Sequence, residues 1–585
     1  MSYSLYDTIR SSRYENCVIL TYSINLNLYE SIIWKRLHTN GCHNNVLFVD
    51  GNEFDQALLH DKRTLEYLGK GYLIYPIYSI AAFHPKVILL TNKTSGKLII
   101  SSANVTVAAL TRHSEIINEF DYDESNEEYL YLFNDCWNYL MAMCQEVPSY
   151  IMAQIEQLYE TTPWLNKTGA RGSDFAFIAN PKYRKDSPSS IYDVLSSLIS
   201  ASTIDELTIL SPFFDSDLRL LKQLKKKFDI VKTNFIIDPH LSLDPLARPI
   251  LSKETNIYRF SNPLDRTKYR SLHAKAMYFK ADPDRYLLCG SMNFTSNAMG
   301  IPFKQNNYEA GILYKSDNDN YFQMLGLADL VQNNNRLTIN DLKFEKRELD
   351  ETKNKYSIQI TWVEFLYGEI TINIKPSFLQ DIKNLEIYFY DSADNNTGIV
   401  KIKDYLSDNN HISSYIQDRY IIESSNCIEL HAIYNDGSKA ISNRAVLNKI
   451  ETLRELTAKS DFTKKLKKLV RVLPTGQDYE IMLDLLSYFL FDSYEQYLKK
   501  NTIRKVATVT EKYNNDNEEP RKLDMNDIIS TEPKKEHMGL SSMYGDQGGD
   551  VIKEIFINSF LKDNKNGSKL IVDKVAEDYL EEKNH

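Results

Sequence analysis

The chain has 585 residues, of which 43% are hydrophobic, and a formal net charge of −10 at pH 7. This apolar content suffices for several packed domains, and the acidic balance argues against a protein that coats nucleic acid through an overall positive charge. The six cysteines include no C-x-x-C pair and the first residues lack a secretory pattern, so we expect reduced thiols in the cytoplasm. Because no apolar run approaches the length of a membrane span, we expect no membrane association.

The first predicted unit spans residues 1–160 and alternates short apolar strands with helices. One of these strands should carry His84 and Lys86 on the same face, because alternate side chains of a strand point the same way. The following strand leads into a polar turn that contains Ser102 and Asn104. This unit therefore places a His-x-Lys pair beside a turn with a hydroxyl and an amide.

The second predicted unit, residues 174–335, repeats this arrangement with His273, Lys275, Ser291 and Asn293. In both copies the Asn follows the His by 20 residues and the Lys by 18. A single His-x-Lys pair is usually an ordinary surface or core feature, whereas two pairs in the same register predict a duplicated half-site.

The duplicated residue types suit the chemistry of a phosphodiester. Neutral imidazole is a nucleophile and a proton shuttle near neutral pH. Lysine supplies positive charge and asparagine supplies an amide donor for the non-bridging phosphate oxygens. One His can attack phosphorus while the other protonates the leaving oxygen, so the set requires no metal and no other cofactor.

At these residues the chain resembles the phospholipase D superfamily, whose signature is H-x-K followed by G-S-x-N. The resemblance covers about residues 10–335 and implies two α/β halves with pseudo-two-fold symmetry around one composite site. It implies a covalent phosphohistidine intermediate, with His84 as the nucleophile and His273 as the acid and base. It also implies that acidic residues downstream, for which Glu119 and Glu309 are the candidates, orient the two imidazoles.

Two departures from the signature bear on the substrate. Thr91 and Lys280 stand where the fuller signature has Asp, and Ser101 stands where Gly is usual. Some nuclease-like members of the superfamily also lack that Asp, so we predict a nuclease; DNA is the favoured substrate, and the sequence leaves the choice between DNA and RNA open. Bacterial relatives of this kind often serve restriction or phage defence. The alternatives are a phospholipase or phosphatidyltransferase, and a non-catalytic nucleic-acid-binding or assembly subunit.

Beyond about residue 335 the spacing of the apolar residues changes. Alternating apolar residues predict an antiparallel β domain over residues 350–448, with the architecture of a sandwich. Residues 449–585 predict a helical region that contains a polar, flexible linker at about 513–550. This C-terminal region is a candidate for binding a protein partner such as an ATPase or helicase.

Overall fold

The computed structural model describes most of the chain up to residue 453. The described residues are 14–60, 65–172, 174–180, 190–251, 255–261, 270–301, 306–346, 356–375, 382–402 and 411–453. They form a mixed α/β structure with several sheets, within one compact unit, Met1–Leu456. The predicted linker at 513–550, and the predicted helical region 449–585 beyond residue 453, lie outside the described residues. Among the described helices, none is both long enough and apolar enough to span a membrane.

The first sheet has six strands, with a short seventh strand that pairs elsewhere. The strands are β1 (Asn16–Thr21), β2 (Asn44–Asp50), β3 (Leu73–Ile77), β4 (Val87–Thr91), β5 (Ser95–Ser101), β6 (His113–Ser114) and β7 (Ile117–Asp123). Their order is β3-β2-β1-β4-β5-β7; the first three are parallel, and β4, β5 and β7 are antiparallel to their neighbours. Every residue of β1, β2 and β4 is buried, which is typical of strands covered on both faces.

Helices accompany this sheet, and one of them has a regular apolar spacing. Helix α1 joins Leu26–Leu28, a π-helical turn Tyr29–Trp34 and Lys35–Thr39; the others are α2 (Gly51–His60), α3 (Val107–Thr111), α4 (Leu130–Met143) and α5 (Ser149–Thr161). In α4, Leu130, Phe133 and Leu140 recur at helical spacing and are buried in the core. Short 3-10 turns follow at Cys144–Glu146 and Pro163–Asn166.

The second sheet has eight strands. Its region contains β8 (Phe175–Asn180), β9 (Thr203–Leu210), β10 (Asp229–Ile237), β11 (Ser242–Leu243), β12 (Thr255–Arg259), β13 (Ser271–Leu272), β14 (Ala276–Ala281), β15 (Asp284–Gly290), β16 (Glu309–Ser316), β17 (Arg336–Leu337) and β18 (Lys343–Phe344). The order in the sheet is β17-β12-β10-β9-β14-β15-β16-β8. The helices are α6 (Ile191–Leu198), α7 (Arg219–Lys227), α8 (Arg248–Leu251), α9 (Ser296–Met299), α10 (Asn320–Met324) and α11 (Leu327–Leu330), with 3-10 turns at Pro245–Ala247, Asn333–Asn335 and Ile339–Asp341.

One hydrophobic core lies between the two sheets. Leu98 and Ile100 of β5 belong to the same buried cluster as Cys289 of β15 and Ile312 of β16. A second cluster includes residues of α6 and α7 together with apolar side chains of the second sheet, such as Ile209. The first and second sheets therefore share apolar surface, which fixes their connecting segments against each other.

Two short backbone pairings bring connections of the two sheets together. Strand β13 pairs in parallel with β6, and Phe83 forms a bridge with Tyr308. These pairings correct the strand prediction: His84 and Lys86 precede β4, and His273 and Lys275 lie between β13 and β14. The reason is that the chain before each His leaves its own sheet; His84 N, for example, donates a hydrogen bond to Tyr308 O at 3.0 Å.

Strands dominate the described residues after 356. They are β19 (Ile360–Leu366), β20 (Glu369–Ile374), β21 (Ile382–Tyr390), β22 (Asn396–Ile402), β23 (His411–Tyr415), β24 (Cys427–Tyr434), β25 (Lys439–Ile441), β26 (Ala445–Val446) and β27 (Asn448–Lys449), with helix α12 (Arg419–Ser424). They form two sheets, β23-β20-β19-β27 and β22-β21-β24-β25, with β26 beside β24. One buried cluster contains residues of both sheets. The pairings are antiparallel except for β19 with β27.

Candidate active site

His84 is held by a carboxylate from the far side of the sequence. Its Nδ1 lies 2.9 Å from Oε2 of Glu309, the first residue of β16. Ser291 Oγ donates a hydrogen bond to the same oxygen, and Asn307 Nδ2 donates one to Oε1 at 3.2 Å. The Tyr22 ring packs edge-on against the imidazole, with ring centroids 5.0 Å apart. The imidazole is therefore fixed through Nδ1, which leaves Nε2 as its other functional nitrogen.

His273 has the reciprocal arrangement. Its Nδ1 lies 2.7 Å from Oε1 of Glu115, which stands between β6 and β7. Ser102 Oγ donates a hydrogen bond to Oε2 of the same carboxylate. Both motif serines thus contact a glutamate rather than a histidine. Both glutamates directly follow a short inter-sheet pairing: Glu115 follows β6, and Glu309 follows Tyr308, which bridges to Phe83.

Strand register shows that the two glutamates are equivalent. Ser101, the last residue of β5, pairs with Ile117, two residues after Glu115. Gly290, the last residue of β15, pairs with Gly311, two residues after Glu309. We therefore define the half-sites by their residues. The first half-site is His84, Lys86, Ser102, Asn104 and Glu115; the second is His273, Lys275, Ser291, Asn293 and Glu309.

The expected role of Glu119 needs correction. Glu119 lies inside β7, where it pairs in register with Ile99, and its carboxylate forms an ion pair with Lys97. The carboxylate on His273 belongs instead to Glu115, four residues earlier. A prediction of strand register could have identified Glu115. Ile117 pairs with the end of β5 and Gly311 pairs with the end of β15, and each glutamate lies two residues before its paired residue.

Both motif lysines are buried beside their histidines. Lys86 Nζ donates a hydrogen bond to His84 O at 2.8 Å, and Lys275 Nζ donates one to His273 O at 2.5 Å. Only 2% of Lys86 and 1% of Lys275 is exposed. Burial disfavours the charged ammonium and lowers the pKa of Lys86 to about 7 and that of Lys275 to about 8. Such ammonium groups gain by pairing with an anion.

The two motif asparagines occupy matching turns. Asn104 follows β5 and Asn293 follows β15, and among the described residues Oδ1 of each is buried without a hydrogen-bond partner. The threonines that come two residues later are helix N-caps: Thr106 Oγ1 accepts from Ala109 N, and Thr295 Oγ1 accepts from Ala298 N, both at 3.3 Å. The repeated Asn-x-Thr run therefore combines an uncommitted amide with a cap that fixes its turn.

Two aspartates that the motif does not contain position the histidine segments. Asp50 Oδ2 accepts a hydrogen bond from Phe83 N at 2.9 Å, and Asp238 Oδ2 accepts one from Leu272 N at 3.1 Å. Both aspartates are buried, Asp50 at the end of β2 and Asp238 directly after β10. The sequence could have indicated both aspartates, because each follows the apolar residues of a strand and the carboxyl ends of parallel strands meet at one edge of a sheet.

The charges of the two half-sites act on each other. Burial, with the nearby charges of Lys86 and Lys275, lowers the pKa of His84 well below its usual value. Burial and Lys275 lower the pKa of His273 to about 4, against the opposing effect of Glu115. Because Lys275 acts on His84 and Glu309 acts on Lys86, the two half-sites form one electrostatic unit. Both imidazoles are neutral near pH 7.

The two glutamates differ in charge. Burial raises the pKa of Glu309 to about 8, although Lys86 opposes the increase. Burial would also raise the pKa of Glu115, but its contacts with His113 and His273 and the nearby charge of Lys275 outweigh burial and hold that pKa well below its usual value. His273 therefore faces an ionised carboxylate, and His84 faces one that burial drives toward its neutral form.

The positions that depart from the signature have other partners. Thr91 is buried, and its Oγ1 lies 2.9 Å from Thr162 Oγ1 and 3.2 Å from Asn16 Nδ2. Lys280 lies in β14, opposite Glu206 of β9. Neither position contacts a half-site through these interactions, so the composite site retains its histidines, lysines and asparagines without the missing Asp.

A metal ion has one candidate set of ligands among the described residues. The donor atoms of His113, Glu115 and His273 lie within 4.8 Å of one another. This set overlaps the second histidine and the first glutamate of the composite site.

Comparison with protein-family models gives no match, and comparison with curated proteins finds no significant similarity. The geometry of the site is defined by the reciprocal contacts of Glu309 with His84 and of Glu115 with His273.

Proposed function

We propose that the chain is a metal-independent phosphodiesterase of the phospholipase D type, which cleaves DNA through a covalent phosphohistidine. The observation that carries the proposal is the reciprocal contact of each imidazole with the glutamate of the other half-site, beside two buried lysines. We also propose the detailed architecture: two α/β halves with pseudo-two-fold symmetry, an antiparallel β-sandwich-like domain and a helical C-terminal region. The matched registers of Ser101 with Ile117 and of Gly290 with Gly311 support the two-half arrangement.

In the first step His84 is the nucleophile. With its Nδ1 proton donated to Glu309, the Nε2 lone pair attacks phosphorus, and a P–N bond forms as the P–O bond to the leaving group breaks. The bound phosphodiester anion offsets the charge of Lys275, which favours the imidazolium form of His273, and this form donates its Nε2 proton to the departing oxygen. The ionised Glu115 supports this role because it stabilises the imidazolium form of His273.

In the second step water hydrolyses the phosphohistidine, with His273 as the general base and His84 as the leaving group. His273, now neutral, accepts a proton from water through Nε2, and the water oxygen attacks phosphorus. A P–O bond forms, the P–N bond breaks, and His84 leaves with its Nε2 lone pair restored. Both histidines thus return to their starting protonation states, and no other reactant is consumed.

The lysines and asparagines stabilise the charge that grows on the phosphoryl oxygens. Lys86 and Lys275 each donate one proton to a backbone carbonyl, which leaves two further N–H donors on each ammonium. The amides of Asn104 and Asn293 supply neutral donors from the matching turns. Such preorganised donors in a site shielded from water act strongly on a developing anion.

The departure from the family signature at Thr91 and Lys280 favours a nucleic acid over a lipid headgroup within this chemistry. The six cysteines are free and buried, which supports a reducing, cytoplasmic setting. We infer that a cytoplasmic nuclease of this kind would serve restriction or phage defence.

The test is a panel of substrates in excess EDTA: single- and double-stranded DNA, RNA and phosphatidylcholine vesicles. We expect DNA cleavage that persists in EDTA and is lost in His84→Ala and His273→Ala. Complete loss of activity in EDTA would contradict the metal-free mechanism. Lipid hydrolysis with intact oligonucleotides would establish the phospholipase alternative. An assembly role would be indicated if the two variants kept full biological activity.

A further inference from the structure

A third imidazole lies against the composite site. The His113 ring stacks on the His273 ring, with centroids 4.9 Å apart and an interplanar angle of 25°. Both Nδ1 atoms face the same oxygen of Glu115: Oε1 is 2.7 Å from His273 Nδ1 and 3.6 Å from His113 Nδ1. Among the described residues, His113 Nδ1 is buried and has no hydrogen-bond partner. A buried nitrogen without a partner, aimed at a buried carboxylate, indicates room for an additional ligand.

The three donor atoms match the ligand chemistry of zinc. Two imidazole nitrogens and one carboxylate oxygen are ligands that Zn²⁺ accepts, with water in the fourth position. Zinc–nitrogen distances of about 2.0–2.1 Å place tetrahedral ligand atoms about 3.3 Å apart. The donor atoms of His113, Glu115 and His273 already lie within 4.8 Å of one another, so small side-chain rotations would close the set.

The other half-site cannot form such a set. The position equivalent to His113, two residues before the glutamate, is Asn307, whose Nδ2 donates to Glu309 Oε1 at 3.2 Å. The amide nitrogen of Asn307 is not a metal ligand because its lone pair is delocalised, and an amide oxygen suits Mg²⁺ or Ca²⁺ better than Zn²⁺. The potential metal set therefore belongs to the His273 side alone.

We infer that His113, Glu115 and His273 form a Zn²⁺-binding site. The ion would not serve the chemistry; it would occupy Nδ1 of His273 and place the ring proton on Nε2, where a lone pair is needed to accept a proton from water. Zn²⁺ thereby inhibits turnover, a consequence that rests on the proposed function, whereas binding of the metal does not. The nearby Lys275 ammonium repels a cation, so we expect Zn²⁺ to bind less tightly here than at a structural zinc site.

The experiment is a calorimetric titration of the EDTA-stripped, full-length chain with ZnCl₂. We expect one Zn²⁺ per chain. His113→Asn, which copies the residue of the other half-site, should weaken binding by more than about tenfold, because even the loss of an outer-shell partner typically costs ~10–100-fold. The matched control is His43→Asn, since His43 and His38 form a separate imidazole pair with Nδ1 atoms 3.4 Å apart. This control should bind like the wild type.

Three results would overturn the site: no binding by the wild type, unchanged binding in His113→Asn, or loss of binding in His43→Asn. Circular dichroism checks folding, and His113→Gln replaces His113→Asn should the latter misfold. A parallel DNA-cleavage assay separates the two proposals. Zinc binding that depends on His113, without any DNA cleavage, would contradict the proposed function and leave the metal site standing. Cleavage that Zn²⁺ inhibits in the wild type but not in His113→Asn would support both.

Discussion

Glu309 Oε2 lies 2.9 Å from Nδ1 of His84, although the two residues are 225 positions apart in the sequence. The reciprocal contact, Glu115 Oε1 with His273 Nδ1, is 2.7 Å long and spans 158 positions. Each glutamate therefore orients the imidazole of the other half-site. Neither imidazole has its carboxylate until both sheets are in place, which couples assembly of the fold to assembly of the site.

The first prediction concerns these carboxylates. Glu309→Gln and Glu115→Gln should each lower kcat by on the order of 10²–10⁴-fold, because an amide can donate to Nδ1 and so select the wrong imidazole tautomer. Single-turnover cleavage measures the effect. Glu119→Gln is the matched control and should stay within about twofold of the wild type, because Glu119 pairs with Lys97 in β7. An equal loss in the control would contradict the assignment of Glu115.

The second prediction is an alkaline limit on activity. Burial lowers the pKa of Lys86 to about 7 and that of Lys275 to about 8, so each ammonium is charged below its pKa and neutral above it. kcat/KM should therefore fall above about pH 7–8, by about tenfold per pH unit for each essential proton lost. Lys86→Arg should move the decline to higher pH, since a guanidinium stays charged. A flat profile to pH 10 would show that neither charge is required.

The third prediction separates the two histidines. With a p-nitrophenyl phosphodiester, which needs little acid assistance, His84→Ala should form no adduct and no product. His273→Asn should form the adduct and release it slowly, because activation of water is impaired. Mass spectrometry should locate an acid-labile, base-stable phosphoramidate on His84. An adduct on His273 would reverse the two roles.

The fourth prediction concerns a buried carboxyl between α2 and the strands that follow residue 356. Asp55 Oδ1 accepts hydrogen bonds from Tyr78 Oη at 2.8 Å and Asn443 Nδ2 at 3.1 Å, and burial raises the pKa of Asp55 to about 7. A folded-state pKa above the unfolded one means that the stabilisation is complete below about pH 4 and is lost as pH rises through about 7. Unfolding free energies should thus fall by roughly 1–4 kcal/mol between pH 4 and 8.

Asp55→Asn should flatten this pH dependence in urea denaturation, because the variant has no proton to lose. The exposed Asp317→Asn serves as the control and should retain the wild-type slope. A wild-type slope in Asp55→Asn would place the titrating group elsewhere.

The sequence alone predicts the parts of the site that repeat at constant spacing, and misses those that depend on register. His, Lys and Asn recur at equal intervals because each comes from adjoining strands and one turn. Glu115 follows Asn104 by 11 residues, whereas Glu309 follows Asn293 by 16, so a loop of different length hides their equivalence. That equivalence becomes visible only from strand register.

In the fold, too, local features can be predicted from the sequence and long-range pairings cannot. Local periodicity predicts helix α4 and the buried strands, because burial of their faces follows from the positions of their own apolar residues. It wrongly extends strands over His84 and Lys86, since an apolar run cannot reveal that the backbone turns to pair with Tyr308. Long-range backbone pairing has no signature in a local window.

The reciprocal carboxylates also matter for the chain as it is synthesised. When His84 is added to the growing chain, the residue that will orient its ring is still 225 additions away. Amino-terminal segments fold first during translation. The first sheet can therefore form before Glu309 is available to contact His84. An enzyme with this composite site would therefore be synthesised in an inactive form, and the order of synthesis would delay reactivity until β16 joins the second sheet.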